Sequence, residues 1–307
     1  MTSKVTKNDR DLLTSIAEHK VLTVSQLSAL SQRSSQVIRR RIRALEMEGL
    51  TITKMHGFGR DRGRPVDLIL LTEKAAALLV DEGIPSGHTV CNADKAEEPH
   101  SIDHLLLVNW FRIHLLQIER TIPPLSIQFL SPTSPAPAEN TDDSPPISES
   151  TPTNNRLKKF DQFIPDGVFS ITNREIEGKT LLFFLEVDMG TETIASMDRA
   201  SKDIRRKILN YQELFRSGGY KRYESVFESK LNGFRLLFLA NSEARLISLC
   251  RIVREIPPSD FIWLTDQGRM FSHGLAAKIW ARGGRNESPP QSILGPGLAC
   301  ELPRIDH

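Results

Sequence analysis

The stretch from Ser131 to Asn155 sets the first limit on this chain, because it cannot build a core. Pro132, Pro135, Pro137, Pro145, Pro146 and Pro152 stand there among Ser, Thr and acidic residues. Prolines remove backbone donors, and such side chains bury too little apolar area to offset chain entropy. A polar stretch around Pro85 to Pro99 and a Gly- and Pro-rich tail after Gly283 mark two further breaks. Whatever folds must do so between them, and 307 residues leave room for two domains of ordinary size. The expected boundaries are a first domain over 8–82, a linker over 83–100 and a second domain over 101–282. A disordered insertion over 131–157 interrupts the second domain, and 283–307 is expected as a flexible tail.

The first segment carries the helical period and then the strand period. Leu12, Leu13 and Ile16 mark the inner face of a helix from Asn8 to His19. Thr23 and Gln26 have capping-box spacing at the start of a second helix, whose inner face is Leu27 and Leu30. Ser34 or Ser35 caps a third helix that ends at Gly49. Two strands, Leu50–Met55 and Val66–Leu71, flank a Gly/Arg hairpin over His56–Pro65, and a last helix opens at Thr72. Three helices followed by a two-stranded wing describe a winged helix-turn-helix.

The third helix divides into two faces. Ile38, Ile42 and Leu45 recur at i, i+4 and i+7 as a buried stripe, which gathers Gln36, Arg39, Arg40 and Arg43 on the opposite side. Arginine forks match guanine edges or phosphates, and Gln can pair with adenine. Arg41 falls on the flank, as a phosphate contact or a surface salt bridge. Arg60, Arg62 and Arg64 in the hairpin are placed to reach the backbone or minor groove. From Lys20 to Arg64 ten basic residues face three acidic ones, a local +7 inside a chain whose net charge is +2. These features agree on double-stranded DNA as the partner.

The later segment alternates strands and helices, which predicts an α/β domain with a mixed sheet. A helix over Ser101–Arg120 comes first. Strand-like runs follow at Leu125–Leu130, Lys159–Ile164, Val168–Thr172, Thr180–Asp188, Gly233–Ala240 and Asp260–Leu264, with helices at Thr193–Ser217 and Ser242–Ile256. Glu186 and Asp188 end the most apolar of these strands on one face, and Asp166 leaves a neighbouring strand at a turn. Buried carboxylates need a partner or a cation. Asp166, Glu186 and Asp188 are therefore the candidate metal ligands, for Mg²⁺ or Mn²⁺, and the candidate catalytic acids.

Pro165-Asp166 and Glu186-x-Asp188 resemble the motif of the PD-(D/E)xK nuclease superfamily, in which a lysine follows the second acid. Asp188 stands at the lysine position, and Lys202 and Lys207 on the next helix are the candidate replacements. The whole chain resembles the replication-relaxation family of plasmid and mobile-element proteins over about residues 8–265. That resemblance rests on the winged helix, Asp103-His104-Leu105 with Val108-Asn109, Ile164-Pro165-Asp166-Gly167, Leu185-Glu186-Val187-Asp188-Met189-Gly190-Thr191-Glu192 and Lys207-x-x-x-Tyr211. It implies a restriction-endonuclease-like second domain, a role in replication, relaxation or copy control, and replication or relaxase proteins as partners, with a homodimer an open arrangement.

Three readings stay open: a DNA-binding protein with a non-catalytic nuclease-like domain, a metal-dependent DNA endonuclease, and a transcriptional regulator with a sensing or dimerisation domain. No run is apolar and long enough to cross a bilayer, and the N-terminus lacks a signal-peptide pattern, so the expected compartment is the cytoplasm. Cys91, Cys250 and Cys300 are too few and too scattered for a disulfide framework or a zinc site. No glycine-rich phosphate loop joins a strand to a helix, which argues against a nucleotide-driven motor.

Overall fold

Residues 5–57, 66–83, 99–130, 149–151, 161–176, 179–190 and 204–305 are described in this computed structural model. The chain divides into two compact units, 1–113 with 305–307, and 114–304.

In the first unit, α1 (Lys7–His19), α2 (Val24–Ser31) and α3 (Ser35–Met47) precede β2 (Thr51–His56), β3 (Val66–Leu71) and α4 (Glu73–Asp81). Each start is chemically marked. Thr6 and Asp9 close a capping box on α1, Thr23 and Gln26 close one on α2, and Ser34 and Thr72 cap α3 and α4. Leu12, Leu13 and Ile16 pack with Leu27, Ile38, Ile42, Leu45, Ile69 and Leu79 in one core. Burying a side chain of this size stabilises the fold by about 1.5–3 kcal/mol. The sequence reading missed β1 (Leu22–Thr23), which pairs with β3 and makes an antiparallel sheet of order β1-β3-β2. Two residues are too few to show a period.

Within the first unit, the early part of helix α5 (Pro99–Thr121) is fastened to the preceding helices by polar bonds. Asn109 Nδ2 donates to the carbonyls of His19 and Val21 at 3.1 and 2.8 Å, and Arg112 donates to the Glu18 carbonyl. Gln26 Nε2 donates to the Leu106 carbonyl at 2.8 Å. The bonds to Glu18 and His19 satisfy carbonyls at the end of α1.

In the second unit, β4 (Leu125–Leu130), β7 (Gly167–Asn173), β8 (Thr180–Asp188), β9 (Phe234–Ala240), β10 (Ile262–Asp266) and β11 (Ala281–Arg282) form a mixed sheet of order β11-β10-β9-β8-β7-β4. The central strands β8, β9 and β10 are parallel, and the outer pairings are antiparallel. Between the parallel strands run α6 (Ile204–Ser217) with the short α7 (Tyr223–Val226), and then α8 (Glu243–Arg254). Phe184, Leu236 and Ile262 from the sheet pack with Ile208, Tyr211, Leu246 and Leu249 from these helices. Glu186 and Asp188 follow Phe184 at the strand period of two, so both project toward the helices. On the opposite face Phe169 stacks on Phe183 at 4.7 Å, and the Arg235 guanidinium lies 4.7 Å from the Trp263 ring.

Several expectations need correction. Parts of the tail expected to be flexible over 283–307 are packed: Ile293 is buried, Trp280 bridges to Gln291, and Arg235 donates to the Ile293 carbonyl. The strand expected over Lys159–Ile164 shortens to β6 (Asp161–Phe163). It pairs with β5 (Glu149–Thr151), inside the expected insertion, and stays apart from the six-stranded sheet. The rest of 131–157, the linker between 83 and 99, and the first part of the helix expected from Thr193 lie outside the described residues.

Candidate nucleic-acid interface and acidic cluster

On α3, Ile38, Ile42 and Leu45 are buried, while Gln36, Arg39, Arg40 and Arg43 are exposed on the other side. Among the described residues, no acidic side chain forms an ion pair with Arg39, Arg40 or Arg43. Arg41 and Arg33 differ: Arg41 is bonded to Asp9, and Arg33 donates to Asn8 Oδ1 at 2.6 Å. Two of the ten basic residues in the window thus serve the fold of this unit. Arg60, Arg62 and Arg64 lie outside the described residues. At the end of β2, His56 Nε2 and Asp103 Oδ1 are 2.8 Å apart, which ties that strand to α5.

The second cluster forms where β7 begins and β8 ends. Asp166 is held by its own backbone, whose N–H donates to the Leu185 carbonyl at 3.0 Å, and its Oδ2 accepts from the Val187 N–H at 2.7 Å. A Cβ at Gly167 beside it would overlap the Phe129 ring, which would have to shift to admit one. Glu186 is buried, and two residues one helical turn apart on α6 reach it. Lys207 Nζ donates to Oε2 at 3.0 Å and the Tyr211 hydroxyl donates to Oε1 at 2.6 Å. Burial pushes the Glu186 carboxyl up to about 7, with Lys207 opposing the rise and Asp166 adding to it. Asp188 accepts from Arg245 on α8, Nε at 2.7 Å and a terminal nitrogen at 2.9 Å, and from the Gly190 N–H at 2.7 Å.

This arrangement bears on the expected metal set. Both Asp188 oxygens face the Arg245 guanidinium, so its charge is already compensated and it is not offered to a cation. Among the described residues no group of three or more His, Cys, Asp or Glu side chains is placed to hold a metal ion. Of the expected Mg²⁺ or Mn²⁺ ligands Asp166, Glu186 and Asp188, the last is thus engaged by Arg245, and Glu186 by Lys207 and Tyr211. Of the two candidate lysines, Lys207 meets Glu186 and Lys202 lies outside the described residues. Sequence reasoning missed Arg245, which is 57 residues from its partner and carries no motif. The i, i+4 spacing of Lys207 and Tyr211 was a usable signal that both meet one group.

The replication-relaxation family model matches residues 13–229, well over half of the chain. The chain belongs to the replication-relaxation family. The span shared with the family takes in α3, Asp166, Glu186, Asp188, Lys207 and Tyr211, whereas Asp9 and Arg245 fall outside it. No curated protein and no solved structure matches the chain. Among the described residues no helix is long and apolar enough to cross a membrane.

Proposed function

We propose that this replication-relaxation family protein binds double-stranded DNA of a plasmid or mobile element and acts there in replication, relaxation or copy control. Its winged helix-turn-helix over 8–82 is the reader, and a nuclease-like α/β unit accompanies it. The observation that carries this reading is the division of α3. Its apolar stripe is sealed in the core, and its opposite face presents one glutamine and three arginines to solvent. A major-groove helix needs that division, and arginine is the side chain best suited to paired donation. The test is selection from a randomised duplex pool by the purified chain. Enrichment of one sequence family supports the reading, and a pool that stays random opposes it.

A second reading, a metal-dependent endonuclease, draws on Lys207, whose ammonium meets Glu186 beside Asp166 as a motif lysine placed on a helix would. Against it stands the Arg245–Asp188 pair, which takes up one of the three expected ligands. Incubation of supercoiled plasmid with Mg²⁺ and with Mn²⁺ separates the two. The DNA-binding reading expects intact plasmid. Nicking that disappears in both Asp166→Ala and Lys207→Ala would establish the nuclease.

A further inference from the structure

Arg41 behaves unlike the arginines beside it. Its guanidinium turns back to α1, where Nε donates to Asp9 Oδ1 and a terminal nitrogen donates to Asp9 Oδ2. The Asp9 side chain is fully buried, whereas that of Arg41 keeps 32% of its exposure. The same carboxylate accepts from Thr6 N at 2.7 Å and from Thr6 Oγ1 at 2.6 Å, which closes the capping box of α1. Burial alone pushes the Asp9 carboxyl up. The bonds from Arg41 and Thr6 outweigh burial and hold it below its ordinary value. One residue earlier, Asn8 receives Arg33 from the turn that precedes α3. The first turn of α1 thus grips both the entry to α3 and its middle.

An apolar stripe holds a helix against a core without fixing its rotation closely, because hydrophobic attraction has no direction. A guanidinium paired through two nitrogens to one carboxylate fixes both distance and plane. Arg41 sits next to Arg40 and two residues from Arg39 and Arg43. The rotation that it fixes is the one that aims those three side chains. We propose that Asp9, acting through Arg41, is a positioning pair that sets the rotation of the reading face of α3, and that Arg41 touches no DNA. This inference rests on the DNA-binding reading above.

A phosphate contact and a positioning pair leave different signatures. Removing a phosphate contact weakens binding to all sequences alike and lowers the salt slope by about one. Loosening a positioning pair reduces discrimination between sequences and leaves the slope in place. Arg41→Lys keeps the charge and loses the fork, and Asp9→Asn keeps the shape and loses the charge. The experiment titrates the full chain, wild type, Arg41→Lys, Asp9→Asn, their double variant and Arg40→Ala. The probes are the duplex enriched by wild type and a scrambled duplex, across a salt series, with folding checked by circular dichroism.

The expected result is a loss of about tenfold on the enriched duplex for Arg41→Lys and for Asp9→Asn, unchanged binding to the scrambled duplex, and no further loss in the double variant. If Asp9→Asn does not fold, Arg41→Lys carries the test. Equal loss on both duplexes in Arg41→Lys, with both left unchanged in Asp9→Asn, would make Arg41 a phosphate contact and overturn the proposal. Unchanged binding by Arg41→Lys, with Arg40→Ala weakened, would overturn the positioning role and keep the DNA-binding reading. Failure of wild type to bind either duplex would overturn both.

Discussion

Arg245 on α8 holds Asp188 at the end of β8 through Nε at 2.7 Å and a second guanidinium nitrogen at 2.9 Å. The Asp188 side chain is 3% exposed and that of Arg245 12%, so solvent screens the pair little. Removing one member leaves a buried charge without compensation. Arg245→Met should therefore destabilise the second unit by about 3–5 kcal/mol, read from urea unfolding. Asp188→Asn in the same chain should recover a large part of that loss. Additive losses would mean that the two residues are not a pair.

Glu186 and His19 give opposite pH dependences. The folded Glu186 carboxyl is raised to about 7 from 4.5, mainly by burial, so between those values the folded state holds more protons. Its contribution to stability falls as pH rises through that window. Burial, aided by Arg112, lowers the His19 imidazole to about 3 from 6.5, so the unfolded state holds more protons there and stability rises with pH. Each effect should be on the order of a few kcal/mol across its window. Unfolding free energies measured from pH 4.5 to 7 should become steeper with pH in Glu186→Gln and flatter in His19→Gln. Parallel profiles for wild type and both variants would contradict these assignments.

Gly167 is fixed by a neighbour. The Phe129 ring covers the space where a Cβ would stand, and it lies near Phe169, 6.1 Å between ring centroids. Gly167→Ala should cost about 1–3 kcal/mol by overpacking, and Phe129→Leu in the same chain should relieve it. A thermal midpoint unchanged by Gly167→Ala would show that the ring moves aside freely.

Those residues also show what a sequence can disclose. The stripe Ile38, Ile42 and Leu45 was readable because a helix repeats its burial every three or four residues, and the caps Thr23 and Ser34 were readable because they act locally. The Arg245–Asp188 pair was not, since only the packed sheet brings together residues so far apart in sequence. Arg41 carried half of its signal. Its place on the flank of α3 was visible, but Asp9 as its partner depends on how α1 crosses α3. Composition misled at the tail. Gly283 and Gly284 suggested looseness, yet Gly284 lies so close to the Cys250 carbonyl that no side chain would fit, and Ser292, Ile293 and Leu302 further on are buried. Glycine there permits close approach.

The most direct test of the DNA-reading claim is a binding titration of the full chain with its enriched duplex and with a scrambled duplex, at several salt concentrations. It compares wild type with Arg39→Ala and Arg40→Ala. The account predicts that at least one of these variants loses about 1–3 kcal/mol on the enriched duplex and less on the scrambled one, because base contacts discriminate and phosphate contacts do not. Unchanged affinity of both variants for the enriched duplex would show that α3 is not the reader.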